Sequence, residues 1–142
     1  MDKKLLDIAK HSDDPRVRFA ECMQGLGDEK QIKTVCEHLR VPKAYQDLAV
    51  LSVLFSALIT APEDAETRVC ALGRVDAFRK PERFQALLTV CEVRTIEQAK
   101  WLSALKACHT VDISALVAHG HQGDAMKKAV HNARVIAVQA IL

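Results

Sequence analysis

Aromatic rings are scarce in this chain. Phe, Trp and Tyr make up 4% of its 142 residues, with a single Trp and a single Tyr. A surface that stacks successive bases of a single strand needs more rings than this. Glycine and proline are also few, at five and four, and there is no Gly-, Ser- or Pro-rich linker, low-complexity tract or internal repeat. No segment alternates apolar and polar residues as a half-buried strand would, and no Asn-Gly hairpin signal occurs. The five cysteines are an odd number without a Cys-x-x-Cys, which argues against a disulfide scaffold. Four of them fall on apolar helix faces, the pattern of buried, reduced thiols in a cytoplasmic protein. No long apolar region follows Asp2-Lys3-Lys4-Leu5-Leu6, so the amino terminus does not read as a signal peptide. The longest apolar stretch, Leu48 to Ala61, is interrupted by Ser52, Ser56 and Thr60. It is short for a bilayer and suits a buried central helix, so no membrane is expected.

What is present is helical spacing almost throughout. Leu5, Leu6 and Ile8-Ala9 suggest a first short helix. Asp13 or Asp14 before Pro15 marks a second, because an Asx side chain caps and proline's missing N–H costs nothing in a first turn. Gly25-Leu26-Gly27 ends it. Asp28 caps a segment with Ile32, Val35, Cys36 and Leu39 on one face, and Arg40-Val41-Pro42 stops that segment. Lys43 to Thr60 is placed at the centre. Thr67 to Leu72 is a short helix closing at Gly73, and Pro81 opens another. Thr95 with Gln98 three residues on has the form of a capping box. Asp112 to Ala118 is short, and a last helix starts at Gln122-Gly123-Asp124. The expectation is an all-α bundle of about eight helices, one domain over residues 1–142 with parts at 1–60 and 61–142.

Charge is unevenly placed. Residues 1–67 hold nine Lys/Arg against twelve Asp/Glu, a net of −3; residues 68–142 hold eleven against six, a net of +5, with four of the six histidines. A basic half points to an anionic partner. Arg74, Arg79, Lys80 and Arg83 cluster around Asp76, and Arg79 and Arg83, four apart, would share a face if the helix began early. Lys127, His131 and Arg134 recur at i, i+4 and i+7, with Met126, Val130 and Ala133 assigned to the opposite side. Each group has a bland reading beside the functional one: Asp76 pairing with Arg79 or Arg83, and an ordinary solvated face on the last helix.

Catalytic patterns are weak. His11, His38, His109, His119, His121 and His131 form no His-x-x-x-His with a nearby carboxylate, and the His119/His121 pair lacks a third ligand, so no metal site is assigned. Cys108-His109 are neighbours in sequence but point about 100° apart on a helix, which favours a core cysteine over a nucleophile. Trp101 reads as core packing.

Two segments carry a family resemblance. Val17-Arg18-Phe19-Ala20 and, downstream, Asp76-Ala77-Phe78-Arg79-Lys80-Pro81-Glu82-Arg83-Phe84 resemble the carboxy-terminal half of bacterial CCA-adding enzymes, the tRNA nucleotidyltransferases. In that family a His-Asp-Leu-Gly-Lys element of an HD-type phosphohydrolase module follows the first run. Here the His and Asp positions hold Gln24 and Gly25, while Leu26 and Gly27 are kept, and the chain is shorter just after. His38-Leu39-Arg40-Val41-Pro42 is similar to a Leu-Arg-Val-Pro junction of the family. Val111 to Ala118 and Gly120-His121-Gln122-Gly123-Asp124 resemble its last two helices and their connection, although Asp124 stands where many relatives have proline.

The resemblance implies a degenerate HD-like part at 1–60 and a body/tail-like part at 61–142 that holds tRNA for a catalytic head and neck. The head's Asp-x-Asp pair for two-metal nucleotidyl transfer occurs nowhere in the sequence, so Mg²⁺, CTP and ATP would belong to that head. The chain itself would be an inactive fragment or a stand-alone descendant. No catalytic residue is assigned. The expected RNA contacts are Arg79, Lys80, Arg83, Lys127, Lys128 and Arg134. Two other readings remain: a metal-dependent HD-type phosphohydrolase relative with a rebuilt site, and a helical interaction scaffold that forms a homodimer through exposed apolar surface.

Overall fold

The computed structural model describes residues 13–62 and 64–142. The expected helix at Leu5 to Ala9, together with His11 and Glu63, lies outside the described residues. Among the described residues there are eight α-helices and no strand: α1 (Pro15–Met23), α2 (Glu29–Leu39), α3 (Lys43–Thr60), α4 (Ala65–Arg74), α5 (Pro81–Val90), α6 (Thr95–His109), α7 (Ile113–Ala118) and α8 (Gly123–Gln139). The fold is all-α.

The chain divides into two compact units. The first runs to Ala61 and takes in Lys80–Val93; the second comprises Pro62–Arg79 and Arg94–Leu142. Thus α5, grouped with residues 61–142 from the sequence, lies with the earlier helices.

In the first unit α3 packs against α1, α2 and α5, which is the central position its apolar composition predicted. Leu48, Ala49, Ser52 and Ile59 are its buried residues. The hydroxyl of buried Ser52 donates to the Ala49 carbonyl at 2.7 Å, so its burial leaves no orphan donor. Among the described residues α3 is the one helix with the length and apolar composition to cross a membrane. Asp14 caps α1, its Oδ1 accepting from the Arg16 N–H at 2.9 Å while Arg16 Nη2 reaches Oδ2 at 2.9 Å. The side-chain bond from Arg16 holds the Asp14 carboxyl below its usual range, aided by the backbone bond and the Arg16 charge. A 3₁₀ turn, Gln24–Leu26, follows, and Gly27 takes the left-handed conformation at φ 85°, where a Cβ would be strained. Asp28 then caps α2 through the Gln31 N–H at 2.7 Å.

Two expectations fail in this unit. Leu39 is 61% exposed, because α2 closes one residue later at left-handed Arg40 and its last turn leaves the packed stripe. Pro81 is the first residue of α5, so Arg79 lies before the helix and cannot share a helical face with Arg83.

In the second unit α8 packs against α4, α6 and α7, and α4 against α6. Asp64 caps α4 and Asp112 caps α7, accepting from the Thr67 and Ala115 N–H groups. Thr95, expected as the cap, is instead the first residue of α6: Arg94 is the cap residue and makes no side-chain cap bond. Likewise α8 starts at Gln122 without a side-chain cap, and Asp124 sits in its first turn. Trp101 is fully buried, as its core reading required. The Arg68 guanidinium lies 4.9 Å from the Trp101 ring centre, and its Nη2 donates to Glu97 Oε2 at 3.3 Å. Arg68 is 6% exposed; ring and carboxylate replace part of its lost hydration, while its Nη1 is buried without a hydrogen-bond partner. The cysteines split three to two: Cys36, Cys91 and Cys108 are buried, Cys22 and Cys70 exposed, one fewer buried than their apolar neighbours suggested.

Candidate nucleic-acid interface

The turn after α4 organises the basic surface of the second unit. Val75 and Ala77 are buried and their N–H groups bond back to Ala71 and Leu72, anchoring the turn on its inner side. Between them Asp76 adopts φ 59°, a left-handed geometry that Asp tolerates better than most residues. Its carboxylate faces Arg79: Nε donates to both oxygens at 3.0 Å and Nη2 to Oδ2 at 2.7 Å. This hydrogen bonding, with the Asp76 charge, raises the Arg79 pKa. Arg79 is 77% exposed at its side chain, so it is presented to solvent already partnered.

Phe78 has different partners. The Arg134 guanidinium carbon lies 4.0 Å from its ring centre, and His109 meets the ring edge-on at 6.3 Å while its Nε2 approaches the Phe78 carbonyl at 3.3 Å. Around Phe78 and Arg134 a cavity of about 620 Å³ opens between α4, the turn, α7 and α8. Val69, Phe78, Ile113, Met126 and Val130 give it an apolar lining; Arg74, Lys127 and Arg134 bring positive charge to it, and no Asp or Glu lines it. The Nε of Arg134 is buried without a hydrogen-bond partner.

The last helix corrects the expected segregation of its faces. Met126 and Val130 line the same cavity as Lys127, His131 and Arg134, because residues one apart differ by only about 100° and residues four apart nearly align. Val130 and Arg134 are such a pair.

The six expected contacts are divided between the two units. Arg79, Lys127, Lys128 and Arg134 belong to the second unit, Lys80 and Arg83 to the first. Lys80 is the exposed cap residue of α5. Arg83 is half-buried and lines a separate cavity with Lys33, Lys43 and Asp47. Lys127 and Lys128 are exposed, and of the six only Lys127 and Arg134 share the cavity of the second unit. Missing from the expectation was Phe78, which Asp76 and Arg79 had overshadowed and whose partner Arg134 is distant in sequence.

Among the described residues no three His, Cys, Asp or Glu side chains come together as metal ligands. Gln24 and Gly25 sit exposed in the 3₁₀ turn. Cys108 is 3% exposed; burial pushes its thiol up, against the opposing pull of Arg134. Burial likewise raises Cys91 to about 11. Both are thiols rather than thiolates near neutrality.

Over most of its length the chain aligns with bacterial proteins named multifunctional CCA protein. It is 33% identical over 168 residues to that of Nitrosococcus oceani, covering 96% of this chain and 41% of the relative. For Legionella pneumophila strain Lens the identity is 30%, over 92% of this chain and 39% of the relative, and for Thioalkalivibrio sulfidiphilus 31%, over 96% and 41%. The chain is a homologue of one region of the multifunctional CCA proteins. It spans about two fifths of their length, a share that fits the carboxy-terminal region of a CCA-adding enzyme. The span matched in the Nitrosococcus CCA protein is longer than this whole chain, so the relative carries residues there that this chain lacks. No protein-family profile and no solved structure matches the chain.

Proposed function

We propose that this chain is the tRNA-holding part of a CCA-adding enzyme, working with a catalytic head and neck outside these residues. The observation that carries this is the cationic surface of the second unit: Arg74, Lys127 and Arg134 around one cavity free of lining carboxylates, with Lys128 and Arg79 exposed nearby in sequence. The homology to CCA proteins supplies the class of partner. Docking would run through phosphates and 2′-hydroxyls and be governed largely by shape, with no covalent chemistry. The described residues do not fit the metal that nucleotide addition uses, since they bring no ligand group together and the sequence has no Asp-x-Asp. In this reading Mg²⁺, CTP and ATP belong to the head, and the working compartment is the cytoplasm.

A filter-binding titration with tRNA over a range of salt tests the reading. Retention at low salt, with log K falling linearly in log salt as counterions are released, is the expected result. No retention at low salt overturns it.

A further inference from the structure

The cavity of the second unit has features that phosphate docking alone does not use. Its lining is mostly apolar, with Val69, Phe78, Ile113, Met126 and Val130. One wall carries a π surface, because Arg134 lies over Phe78 at 4.0 Å. Arg134 also keeps a buried Nε without a partner, while Arg74 and Lys127 hold positive charge at the same cavity. Its volume of about 620 Å³ lies within the range of sites that enclose a small-molecule-sized group. Glu66 is the carboxylate recorded against the lining, 3.8 Å from His131 and itself exposed.

We propose that this cavity receives one unpaired nucleotide of the bound RNA, its base against the Phe78–Arg134 wall and its phosphate toward Lys127 and Arg74. A base is planar, uncharged and apolar on its faces, whereas its phosphate is anionic; the cavity pairs an apolar wall with a cationic edge in the same way. Unstacked bases are commonly received on aromatic rings and on guanidinium planes. A continuous duplex has no base to offer, so the cavity would make the grip selective for a loop, a bulge or an end. This rests on the RNA-holding reading and adds to it which part of the RNA is recognised.

Cys70 provides the readout. It is exposed and lines the cavity, whereas Cys22, also exposed, lies in the other unit. Alkylation of both thiols by N-ethylmaleimide is followed with a hairpin RNA bearing an unpaired loop and with a blunt duplex of equal phosphate count. The hairpin is expected to bind about tenfold more tightly, a base-stacking increment, and to slow Cys70 while leaving Cys22 unchanged. Ile113→Gln, a change at a lining residue already 45% exposed, is expected to remove the loop preference while retaining duplex binding. Equal binding of the two RNAs with Cys70 alkylated at its free rate overturns the inserted nucleotide and leaves RNA holding intact. Protection by CMP alone, with no preference for the loop, overturns it in favour of a free-nucleotide pocket. Failure of both RNAs to bind removes the RNA-holding reading and this inference with it.

Discussion

Asp76 holds Arg79 by both carboxylate oxygens, the Arg79 Nε donating to each at 3.0 Å. The most exposed arginine of the family-like segment is thus charge-paired before any RNA arrives. A phosphate would have to compete with Asp76 or accept its repulsion. Removing Arg79 should therefore cost less RNA affinity than removing Lys127, which is exposed at the rim of the cavity. Lys127→Ala is expected to lower the slope of log K against log salt by about one, and Arg79→Gln by clearly less. Asp76→Asn, which tolerates the left-handed backbone, should strengthen binding. Salt titrations of the three variants decide it; a full unit lost in Arg79→Gln would show that Asp76 yields its partner to RNA.

Arg68 depends on Glu97. Its side chain is 8% exposed and that of Glu97 22%, so truncating the carboxylate strands a guanidinium that water reaches poorly. Glu97→Ala is expected to destabilise by about 1–3 kcal/mol, the cost of a lost charged hydrogen bond and a partner left unsatisfied. Glu66→Ala, at an exposed site, should stay within about 0.5 kcal/mol. Urea denaturation of the two variants measures the difference, and equal midpoints would refute the dependence.

The same carboxylate shapes acid stability. The hydrogen bond from Lys100, joined by that from Arg68, holds the Glu97 carboxyl below its ordinary value. A depressed folded-state pKa means that protons bind the unfolded chain first. The contribution is fully present above the unfolded value of about 4.3 and is lost as pH falls through the folded one. Glu97→Gln should consequently lose less melting temperature between about pH 5 and pH 2 than the parent chain does. Parallel acid limbs in thermal melts would contradict this.

How much of this was legible in the sequence follows from which forces act locally. Asp14, Asp28, Asp64 and Asp112 cap helices where the sequence offers a short acceptor ahead of an apolar run, a relationship contained within four residues. Central α3 was legible because apolar residues cover most of its faces. Thr95 misled, since a capping-box pattern is permissive and the backbone entered α6 one residue earlier. Above all, the cavity was not legible. It needs the Phe78 turn and α8 together, and nothing in local spacing says that Arg134 will meet Phe78, 56 residues away. The same gap hid the split of the basic residues, because Arg79 and Lys80 are adjacent in sequence yet belong to different units.

Arg40 offers a test of the Leu-Arg-Val-Pro junction itself. It ends α2 at φ 55° and ψ 46°, and the next N–H, of Val41, bonds to the Cys36 carbonyl at 3.0 Å. A left-handed closing residue lets these last carbonyls find donors, and glycine is its usual occupant. Arginine bears a strain of about 1–2 kcal/mol there, and glycine would remove it at the expense of a more flexible unfolded chain, worth about 0.4–1 kcal/mol. Arg40→Gly should then match or exceed the parent in stability, by up to about 1.5 kcal/mol. Arg40→Val, β-branched at positive φ, should be the least stable of the three. The order of urea midpoints, Gly at or above Arg and both above Val, is the expected outcome. A valine variant as stable as the parent would mean that the junction does not close through a left-handed residue.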